Sequence, residues 1–359
     1  MTRVLLVTND WPPDVGGIQT YLAGLVARTR HDVTVLAPRR AGTPPTPGVV
    51  RHPHLRFLGP ARPVREWIVS EAERAGADVI WFGAPHPRGL TPPAVGAAAG
   101  LPWVVHAHGA EVSVADTLPW IRGRLRRSLA GAAEVLAVSR FTADLIERVA
   151  GRPAVALGVG VDVERFTPGP PPDRFTVLCV GRLVRRKGQD RVIGAVARLR
   201  DGGLASAEAV LVGTGPDAGR LRRLAAELEV PTAFVVASEE DLPGWYRTAS
   251  AFAMPVRDRW FGREPEGLGI VYLEAAASGL PVIVGPSGGA PETVVPGRTG
   301  FVAGDVRTLA RQLAWLAEHR DEAAAMGAAG RAFVTERYGW PAVMDRFDEA
   351  IERAAARPT

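Results

Sequence analysis

Short apolar runs recur along the first half of the chain and alternate with segments of helical spacing. The runs predict strands at residues 4–7, 33–36, 79–82, 103–106 and 135–138. Because nearly every position in these runs is apolar, we expect both faces of each strand to be buried, as in a parallel sheet. Apolar residues spaced three and four apart predict helices at residues 18–28 and 122–130.

The second half of the chain repeats this alternation. Predicted strands lie at residues 175–180, 209–212, 233–236, 251–254 and 282–284, and predicted helices at residues 190–200, 217–228, 270–278 and 306–318. Two successive series of strand–helix–strand units predict an α/β protein with two doubly wound, Rossmann-like domains, whose crossovers are right-handed.

Proline-rich segments indicate where the two halves are joined. Residues 166–172, Phe-Thr-Pro-Gly-Pro-Pro-Pro, cannot continue a helix or a central strand and predict a stiff linker. We therefore predict an N-terminal domain over 1–165 and a C-terminal domain over 166–340, followed by a final helix from residue 341 to about 355. A second proline-rich segment, 43–47, predicts an exposed loop.

The composition of the 359-residue chain is that of a globular protein, with 47% hydrophobic and 23% charged residues. Cys179 is the single cysteine, which excludes an internal disulfide, and its apolar neighbours predict that it is buried. The apolar run at 4–7 is too short for a signal peptide. Glycine and proline interrupt the longest uncharged stretches, 89–105 and 275–291. We expect a cytoplasmic protein without a membrane span.

The positive charge is unevenly distributed. Up to Arg165 the chain has 19 Lys and Arg residues against 14 Asp and Glu, whereas the remainder has 24 of each. No basic run is interleaved with aromatic residues, so nucleic acid is not an expected partner. An anionic substrate or an anionic membrane surface fits better. Among 43 basic residues only Lys187 is a lysine, which is either chance or a sign that its compact ammonium group has a specific use.

Candidate chemistry is expected in loops that follow strands, because ligands bind outside the carboxyl ends of the strands in open α/β sheets. Gly16 and Gly17 follow the first strand and open a helix, where backbone N–H groups can approach an anion; a tight turn is the alternative. His106, His108 and Glu111 follow the fourth strand. His108 or Glu111 can bind a sugar hydroxyl or carry a proton. A structural histidine is equally compatible, and a metal at His106 and His108 lacks a third ligand.

Two further loops lie in the second half. In residues 180–190, three arginines and Lys187 converge at a helix N-terminus, which suits a diphosphate, although a solvated basic loop is the alternative. Glu266 follows a later strand, and Glu274 is predicted to point inward from the helix that Gly267-Leu268-Gly269 opens. Both carboxylates suit sugar hydroxyls, with a salt-bridged structural Glu274 as the alternative. The chain has no Asp-x-Asp pair to hold a divalent ion against a diphosphate.

Taken together, these motifs resemble the retaining GT-B glycosyltransferases of family four. The resemblance runs from the first strand to about Trp340 and rests on Gly16-Gly17, His108-Gly109-Ala110-Glu111, Gly181-Arg182 with Lys187-Gly188, and Glu266 with Glu274. Asn9-Asp10-Trp11-Pro12-Pro13 and Gly288-Gly289-Ala290-Pro291-Glu292 further resemble actinobacterial mannosyltransferases that act on phosphatidylinositol mannosides and use GDP-mannose. The resemblance implies two Rossmann-like domains facing across a cleft. It also implies a final helix that returns to the acceptor-side N-terminal domain.

The resemblance also implies roles for individual residues. Arg182 and Lys187 would bind the donor diphosphate and stabilise the leaving group without a metal or other cofactor, and Gly16 and Gly17 would add backbone N–H groups. Glu274 would bind the ribose, while Glu266, Gly267 and Leu268 would bind the hexose. His108 would lie beside the transferred sugar. The nucleobase would lie near Val236, Ala237 and Leu242. Retention is explained in this family by front-face attack, in which the departing phosphate takes the proton of the acceptor.

Some positions depart from the mannosyltransferase pattern or bear on the acceptor. These enzymes tend to carry an Arg or a similar residue near the position of Asp14, and 257–265, with Trp260 and Phe261, differs from a glycine-rich counterpart. The predicted helix with Trp120, Arg122 and Arg126 is either a basic membrane-interface helix or a solvated one.

The leading expectation is therefore transfer of a hexose, mannose from GDP-mannose, to a hydroxyl of a lipid or inositol-containing acceptor. The enzyme would act in the cytoplasm, at the inner face of the membrane. The alternatives are the same chemistry on a soluble natural product, a nucleotide-sugar epimerase, and a carbohydrate-binding protein without activity.

Overall fold

The computed structural model describes residues 1–14, 16–85, 91–258 and 264–357. Its contacts divide the chain into unit 1, Met1–Gly160 with Trp340–Thr359, and unit 2, Val161–Gly339. The proline-rich segment at 166–172 lies at the start of unit 2 and contains neither helix nor strand, as predicted. Residues 44–48 are exposed, in keeping with the predicted loop at 43–47.

Unit 1 is built around a parallel sheet. Its strands are β1 (Arg3–Val7), β2 (Asp32–Ala37), β3 (Val49–Arg51), β4 (Val79–Phe82), β5 (Trp103–Ala107), β6 (Glu134–Ala137) and β7 (Val155–Ala156). Its first six helices are α1 (Gly17–Val26), α2 (Arg62–Ala75), α3 (Thr91–Ala99), α4 (Ala110–Thr117), α5 (Pro119–Leu129) and α6 (Arg140–Ala150). Within the described part of the unit, the strand order is β3-β2-β1-β4-β5-β6-β7, and all neighbouring strands are parallel.

Unit 2 repeats the architecture. Its strands are β8 (Thr176–Val180), β9 (Glu208–Val212), β10 (Thr232–Val235), β11 (Ala251–Met254), β12 (Val282–Val284) and β13 (Gly300–Val302). Its helices are α7 (Gln189–Asp201), α8 (Ala218–Glu227), α9 (Leu242–Arg247), α10 (Ile270–Ala277), α11 (Val306–Glu318) and α12 (Arg320–Tyr338). Among its described residues the order is β10-β9-β8-β11-β12-β13, again with parallel neighbours.

The strand order decides where each unit can bind a ligand. In unit 1 the order reverses between β1 and β4, and in unit 2 it reverses between β8 and β11. Loops from the carboxyl ends of two such strands diverge to opposite faces of the sheet and leave a crevice, which is the usual ligand site of doubly wound sheets. The loops singled out in the sequence after β1 and β8 therefore begin at the two reversal points.

The last helix, α13 (Trp340–Ala355), belongs to unit 1. A Cβ on Gly24 would lie 2.4 Å from the Trp340 ring, and one on Gly160 would lie 2.3 Å from it, so the indole occupies the space that two side chains would take. The ring also stacks on Tyr21, with 6.4 Å between centroids. This packing fixes the start of α13 on the unit.

The strands predicted from the sequence are confirmed within one or two residues at each end. The prediction of α5 is wrong at its start, because the helix begins at Pro119, whose fixed φ suits the first helical position. The elements that the sequence pattern did not predict are β3, β7, β13, α2, α3, α4, α6, α9 and α12. Cys179 is buried as predicted, and burial raises the pKa of its thiol to about 12. No helix in the described part of the chain is long and apolar enough to cross a membrane.

Candidate active site

The loop after β8 carries the basic cluster of unit 2, and glycine backbone shapes it. Gly181 has a φ of 147° and Gly188, which directly precedes α7, has a φ of 76°. A Cβ on Gly213, at the end of β9, would lie 2.3 Å from the carbonyl oxygen of Gly181, so only glycine allows this approach. Between Gly181 and Gly188 the chain makes the 3₁₀ turn Arg185–Lys187, which presents its cations at the N-terminus of α7.

Two cations of this turn bind one carboxylate oxygen. Nη1 of Arg186 and Nζ of Lys187 each lie 2.7 Å from Oε2 of Glu266, and all three side chains are largely buried. Burial by itself would raise the pKa of Glu266, but the charges of Lys187 and Arg186 outweigh it and hold the pKa below its ordinary value. Glu266 is therefore ionised at neutral pH, with Lys187 and Arg186 as its counter-ions.

The backbone of Glu266 is fixed by the loop after β12. Its N–H donates to Oγ of Ser287 (3.1 Å), and its carbonyl oxygen accepts from the N–H of Gly289 (2.9 Å). Oγ of Ser287 in turn donates to Asp258. Residues 285–289 have the Gly-x-Ser-x-Gly spacing of hydrolase nucleophiles. Because Ser287 is fully buried and makes both of these hydrogen bonds, its role here is structural.

Arg182, the other predicted diphosphate ligand, is exposed. Its carbonyl oxygen accepts from Nε2 of Gln189 (3.1 Å), but its guanidinium makes no ion pair or hydrogen bond with any residue that the structure describes. The structure thus brings Lys187 and Glu266 together and leaves the charge of Arg182 available in the same loop. It also adds Arg186, for which the sequence predicted no individual role.

Glu274 faces inward from α10, as predicted, and is 9% exposed. The helix begins after Gly269, whose φ of 93° favours glycine. The hydroxyl of Tyr246, on α9, donates a 2.7 Å hydrogen bond to Oε2 of Glu274. Burial raises the pKa of Glu274 to about 7, although the Tyr246 hydrogen bond acts in the opposite direction. The sequence left a salt-bridged structural Glu274 as the alternative to a ligand-binding one. That salt bridge is not observed among the described residues, because the side chain bonded to Glu274 is the phenol of Tyr246.

The remaining candidates of unit 2 lie on either side of these carboxylates. Gly267 is half-buried and Leu268 is 2% exposed, both between Glu266 and α10. Of the predicted nucleobase residues, Val236 is 77% exposed at the end of β10, Ala237 follows it, and Leu242 is the first residue of α9. A large exposed apolar side chain such as Val236 is available for contact with a planar ring. Trp260 and Phe261 lie outside the described residues.

In unit 1 the glycine pair lies at the first turn of a helix. Gly17 is the first residue of α1 and Gly16 is its N-cap. A Cβ on Gly17 would meet no atom of the described residues within 4 Å, so the space beside this turn is open. The helix N-terminus carries unsatisfied N–H groups and the positive end of the helix dipole, which together favour an anion.

Asp14, just before these glycines, is not an isolated acid. Nε of Arg40 lies 3.0 and 2.9 Å from its two carboxylate oxygens, and Nη2 lies 2.5 Å from Oδ2. The hydrogen bonds from Arg40 hold the pKa of Asp14 below its ordinary value. The negative charge that distinguishes this position from the mannosyltransferase pattern is therefore offset within the same unit.

His108 follows β5 and is anchored at two points. Its Nε2 lies 2.7 Å from the carbonyl oxygen of Gly83, so Nε2 carries the proton and Nδ1 is the acceptor of the neutral ring. Its backbone N–H donates to Oε1 of Glu111 (2.5 Å), which ties His108 to the first turn of α4. The buried His106 ring stacks on His108, with 5.0 Å between centroids, and burial lowers the pKa of His106. Among the described residues no group of three potential metal ligands occurs.

Helix α5 has one buried and one exposed face. Trp120 is 60% exposed, and the guanidinium of Arg124 lies 5.2 Å from its ring centroid. Arg126 is exposed, whereas Arg122 is half-buried and paired with Asp116 at 2.9 Å. Trp120, Arg124 and Arg126 are therefore exposed, and Arg122 is less available than the sequence suggested.

Comparison with known proteins gives the class of the chain. Residues 15–165 match the family described as Glycosyltransferase Family 4, and residues 161–333 match Glycosyl transferases group 1. The GDP-mannose-dependent alpha-(1-6)-phosphatidylinositol monomannoside mannosyltransferase of Mycobacterium tuberculosis is 41% identical over 95% of each chain. The GDP-mannose-dependent monoacylated alpha-(1-6)-phosphatidylinositol monomannoside mannosyltransferase of Corynebacterium glutamicum is 35% identical over 98% of each chain.

Solved structures agree with the fold. HepE of Anabaena in complex with UDP has a TM-score of 0.82 at 19% identity, covering 98% of this chain and 100% of its own. Sucrose-phosphate synthase from Thermosynechococcus elongatus has a TM-score of 0.80 at 21% identity, covering 98% and 99%. Two Rossmann-like sheets and these solved structures show the GT-B fold, whereas the family matches and the mannosyltransferase relatives show a glycosyltransferase. The chain belongs to glycosyltransferase family 4, together with the mycobacterial and corynebacterial mannosyltransferases.

Proposed function

We propose that this enzyme transfers mannose, with retention, from GDP-mannose to an inositol-lipid acceptor such as phosphatidylinositol monomannoside. The observation that carries the proposal is the 41% identity, over 95% of both chains, to an enzyme named for this donor and this acceptor. The positive charge of the first half of the chain supports an anionic acceptor.

Unit 2 supplies groups suited to the nucleotide and the leaving group. Lys187 and Arg182 can bind the diphosphate. The ammonium of Lys187 is a compact point charge, and the guanidinium of Arg182, which pairs with no described residue, is a planar group with several donors. Neutralising the departing nucleoside diphosphate lowers the barrier to breaking its bond to the sugar. In this assignment no metal is required.

The two carboxylates suit the hydroxyl groups of the donor. An ionised carboxylate accepts several hydrogen bonds and donates none, so it fits adjacent hydroxyls of a sugar. We assign Glu274 to the ribose, and Glu266 with the backbone of Gly267 and Leu268 to the hexose. Val236, Ala237 and Leu242 would contact the base.

Unit 1 supplies the remaining assignments. The N–H groups of Gly16 and Gly17 would bind an anionic oxygen of the donor at the start of α1. His108, with Nδ1 as a free acceptor position, would bind a hydroxyl of the transferred sugar. Nε2 of His108 carries a proton and is bonded to Gly83, so this nitrogen does not take the proton of the acceptor. In the front-face reaction that we propose, the leaving phosphate takes that proton.

The acceptor would be reached at a membrane surface. The exposed residues of α5 include the aromatic Trp120, with Arg124 over its ring, and Arg126, a combination of aromatic and cationic side chains that interfacial helices use. We therefore propose peripheral binding of unit 1 to anionic lipid, with Asp14 near the acceptor and Arg122 supporting the helix through Asp116.

Product analysis tests the function. The purified protein is incubated with GDP-mannose, GDP-glucose or UDP-glucose, and with phosphatidylinositol monomannoside or a soluble inositol. We expect mannosylated lipid from GDP-mannose alone, with the α configuration of the new bond identified by NMR. Transfer only to the soluble acceptor would replace the lipid acceptor in the proposal. Conversion of the donor without an acceptor would indicate an epimerase and contradict the proposal.

A further inference from the structure

Lys187 and Glu266 are assigned to different parts of the donor, the diphosphate and the hexose, and yet they bind each other. Nζ of Lys187 lies 2.7 Å from Oε2 of Glu266. A bound diphosphate brings negative charge to Lys187 and so offsets the attraction that this ammonium exerts on the carboxylate. Glu266 would then be a largely buried anion next to other anions, which is unfavourable unless a further cation faces it.

Arg186 is placed to be that cation. Its Nη1 lies 2.7 Å from Oε2, the oxygen that Lys187 also binds, and its side chain is 22% exposed. Its own carbonyl oxygen accepts a 3.0 Å hydrogen bond from the N–H of Arg257, which holds the turn in place. Both cations bind Oε2, and no described residue donates to the other oxygen, Oε1. Oε1 therefore remains available to accept a hydrogen bond from a hydroxyl group of a ligand.

The other groups facing Glu266 cannot take this role. Asp258 reaches it through Ser287 and carries the same sign of charge. Tyr272, on α10, is a neutral phenol that donates to the carbonyl oxygen of Met254 at 2.8 Å. Burial and Glu266 both raise the pKa of Tyr272. Among the described residues, Lys187 and Arg186 are thus the cations that contact this carboxylate.

We infer that Arg186 is a positioning residue: it remains the counter-ion of Glu266 when the donor diphosphate engages Lys187, and so keeps that carboxylate ionised and oriented toward the sugar. The inference rests on the proposed roles of Lys187 and Glu266. Arg186 acts on the sugar only through Glu266 and makes no contact with the nucleotide.

Binding of the nucleotide with and without its sugar separates this role from a direct one. Titration calorimetry compares GDP with GDP-mannose on the wild type, Arg186→Gln, Arg186→Lys and Arg198→Gln. Arg198 is the control because it is an exposed arginine of α7, lies outside the loop at 180–190 and does not contact Glu266. We expect GDP affinity to be unchanged in all variants. In Arg186→Gln the GDP-mannose affinity and kcat/KM should fall about ten- to hundredfold, and Arg186→Lys should restore most of the loss.

The pH dependence gives a readout that a purely structural role would not change. Removing a positive charge raises the pKa of a neighbouring carboxyl group, so Glu266 ionises only at higher pH. In Arg186→Gln the acid limb of kcat, which reports the donor complex, should move to higher pH further than that of kcat/KM, since Lys187 still faces Glu266 in the free enzyme. Glu274 contributes equally to all variants.

The outcomes are distinguishable. Equal losses of GDP and GDP-mannose affinity in Arg186→Gln would mean that Arg186 binds the diphosphate itself and would overturn the inference, as would unchanged GDP-mannose binding and turnover. If the wild type binds another nucleotide sugar instead of GDP-mannose, the proposed donor is wrong. The same comparison between that nucleotide and its sugar conjugate then decides the role of Arg186.

Discussion

The hydroxyl of Tyr246 donates a 2.7 Å hydrogen bond to Oε2 of Glu274, and both side chains are buried. Burial disfavours the charge of Glu274 and raises its pKa to about 7, even though the hydrogen bond favours the ionised form. The group proposed to bind the ribose is therefore about half protonated at neutral pH. A ligand that needs the carboxylate must compete with that proton.

The first prediction concerns the pH dependence of nucleotide binding. If the ionised Glu274 accepts hydrogen bonds from ribose hydroxyls, binding selects the deprotonated form. GDP affinity should then increase from pH 5.5 to pH 8 and level off above about 7, falling by at most tenfold per pH unit below this value. Binding at pH 6 should release protons, which calorimetry in buffers of different ionisation enthalpy measures directly.

Two variants serve as controls for this dependence. Glu274→Gln cannot titrate, so its GDP affinity should be lower at pH 8 and insensitive to pH in this range. Tyr246→Phe removes the hydrogen bond that favours the carboxylate, so the midpoint of the wild-type dependence should move above pH 7. An identical pH dependence in the wild type and Glu274→Gln would show that another group is responsible.

The second prediction concerns Lys187. Replacing it by alanine removes the compact cation assigned to the leaving diphosphate, and we expect kcat to fall about 10²- to 10³-fold, as for loss of one preorganised charge-stabilising group. Arg186 still pairs with Glu266, so Lys187→Ala should remain folded by circular dichroism. Arg185→Ala, which removes a neighbouring charge, should keep most of the activity. Turnover of Lys187→Ala at the wild-type rate would remove Lys187 from the mechanism.

The third prediction uses the open space at Gly17. A methyl group there meets no described atom within 4 Å, and alanine is a better helix former than glycine by up to about 1 kcal/mol. Gly17→Ala should therefore be at least as stable as the wild type and yet transfer mannose more slowly, because the methyl group occupies the approach to the N–H groups.

Gly123→Ala provides the matched control for Gly17→Ala. Gly123 lies within α5, and its Cβ would also meet nothing within 4 Å of the described residues. Gly123→Ala should raise the stability measured by thermal unfolding by a similar amount and should keep the wild-type rate of mannose transfer. Equal activity of the two variants would show that no ligand approaches Gly17.

Much of the fold could be predicted because parallel strands buried on both faces appear as continuous apolar runs, such as β4, in which every residue is buried. The elements that were missed lack this signal. β3 has three half-buried residues, and the buried side of α12 includes Ala323, Gly327 and Gly330, so its small residues give little apolar periodicity. For α6, Ser139 accepts from the N–H of Thr142, a capping signal that the sequence contained.

The site could be predicted by residue type but not by pairing. Lys187 and Glu266 are 79 positions apart, so their contact depends on how the loops after β8 and β11 meet. Sequence reasoning chose Arg182 from three arginines because of a motif, whereas only the fold shows that Arg186 reaches the carboxylate. Similarly, nothing adjacent to Tyr246 in the chain indicates that its hydroxyl reaches Glu274.

The fourth prediction tests the proposed lipid surface of α5. Arg124→Ser with Arg126→Ser should weaken binding to vesicles that contain phosphatidylinositol by about 1 kcal/mol per arginine, and added salt should reduce the difference. Arg122 is left intact because it is paired with Asp116. Arg198→Ser with Arg311→Ser removes the same charge from exposed positions of unit 2 and should bind as the wild type does. Equal cosedimentation of both double variants would argue against a role for this surface.

The fifth prediction concerns the attachment of α13 to unit 1. Asp348 is 4% exposed; it accepts from Oγ1 of Thr29 (2.5 Å) and the N–H of Arg30 (3.4 Å) and lies 3.8 Å from Nε2 of His31. Asp348→Ala leaves these donors unsatisfied, which costs about 1–3 kcal/mol.

We expect amides of α13 to exchange hydrogen correspondingly faster, since the helix is attached to the unit partly through this carboxylate. Glu349→Ala, at the exposed neighbouring position, should exchange as the wild type does. Unchanged protection of α13 in Asp348→Ala would show that the packing of Trp340 against Gly24 and Gly160 alone holds the helix in place.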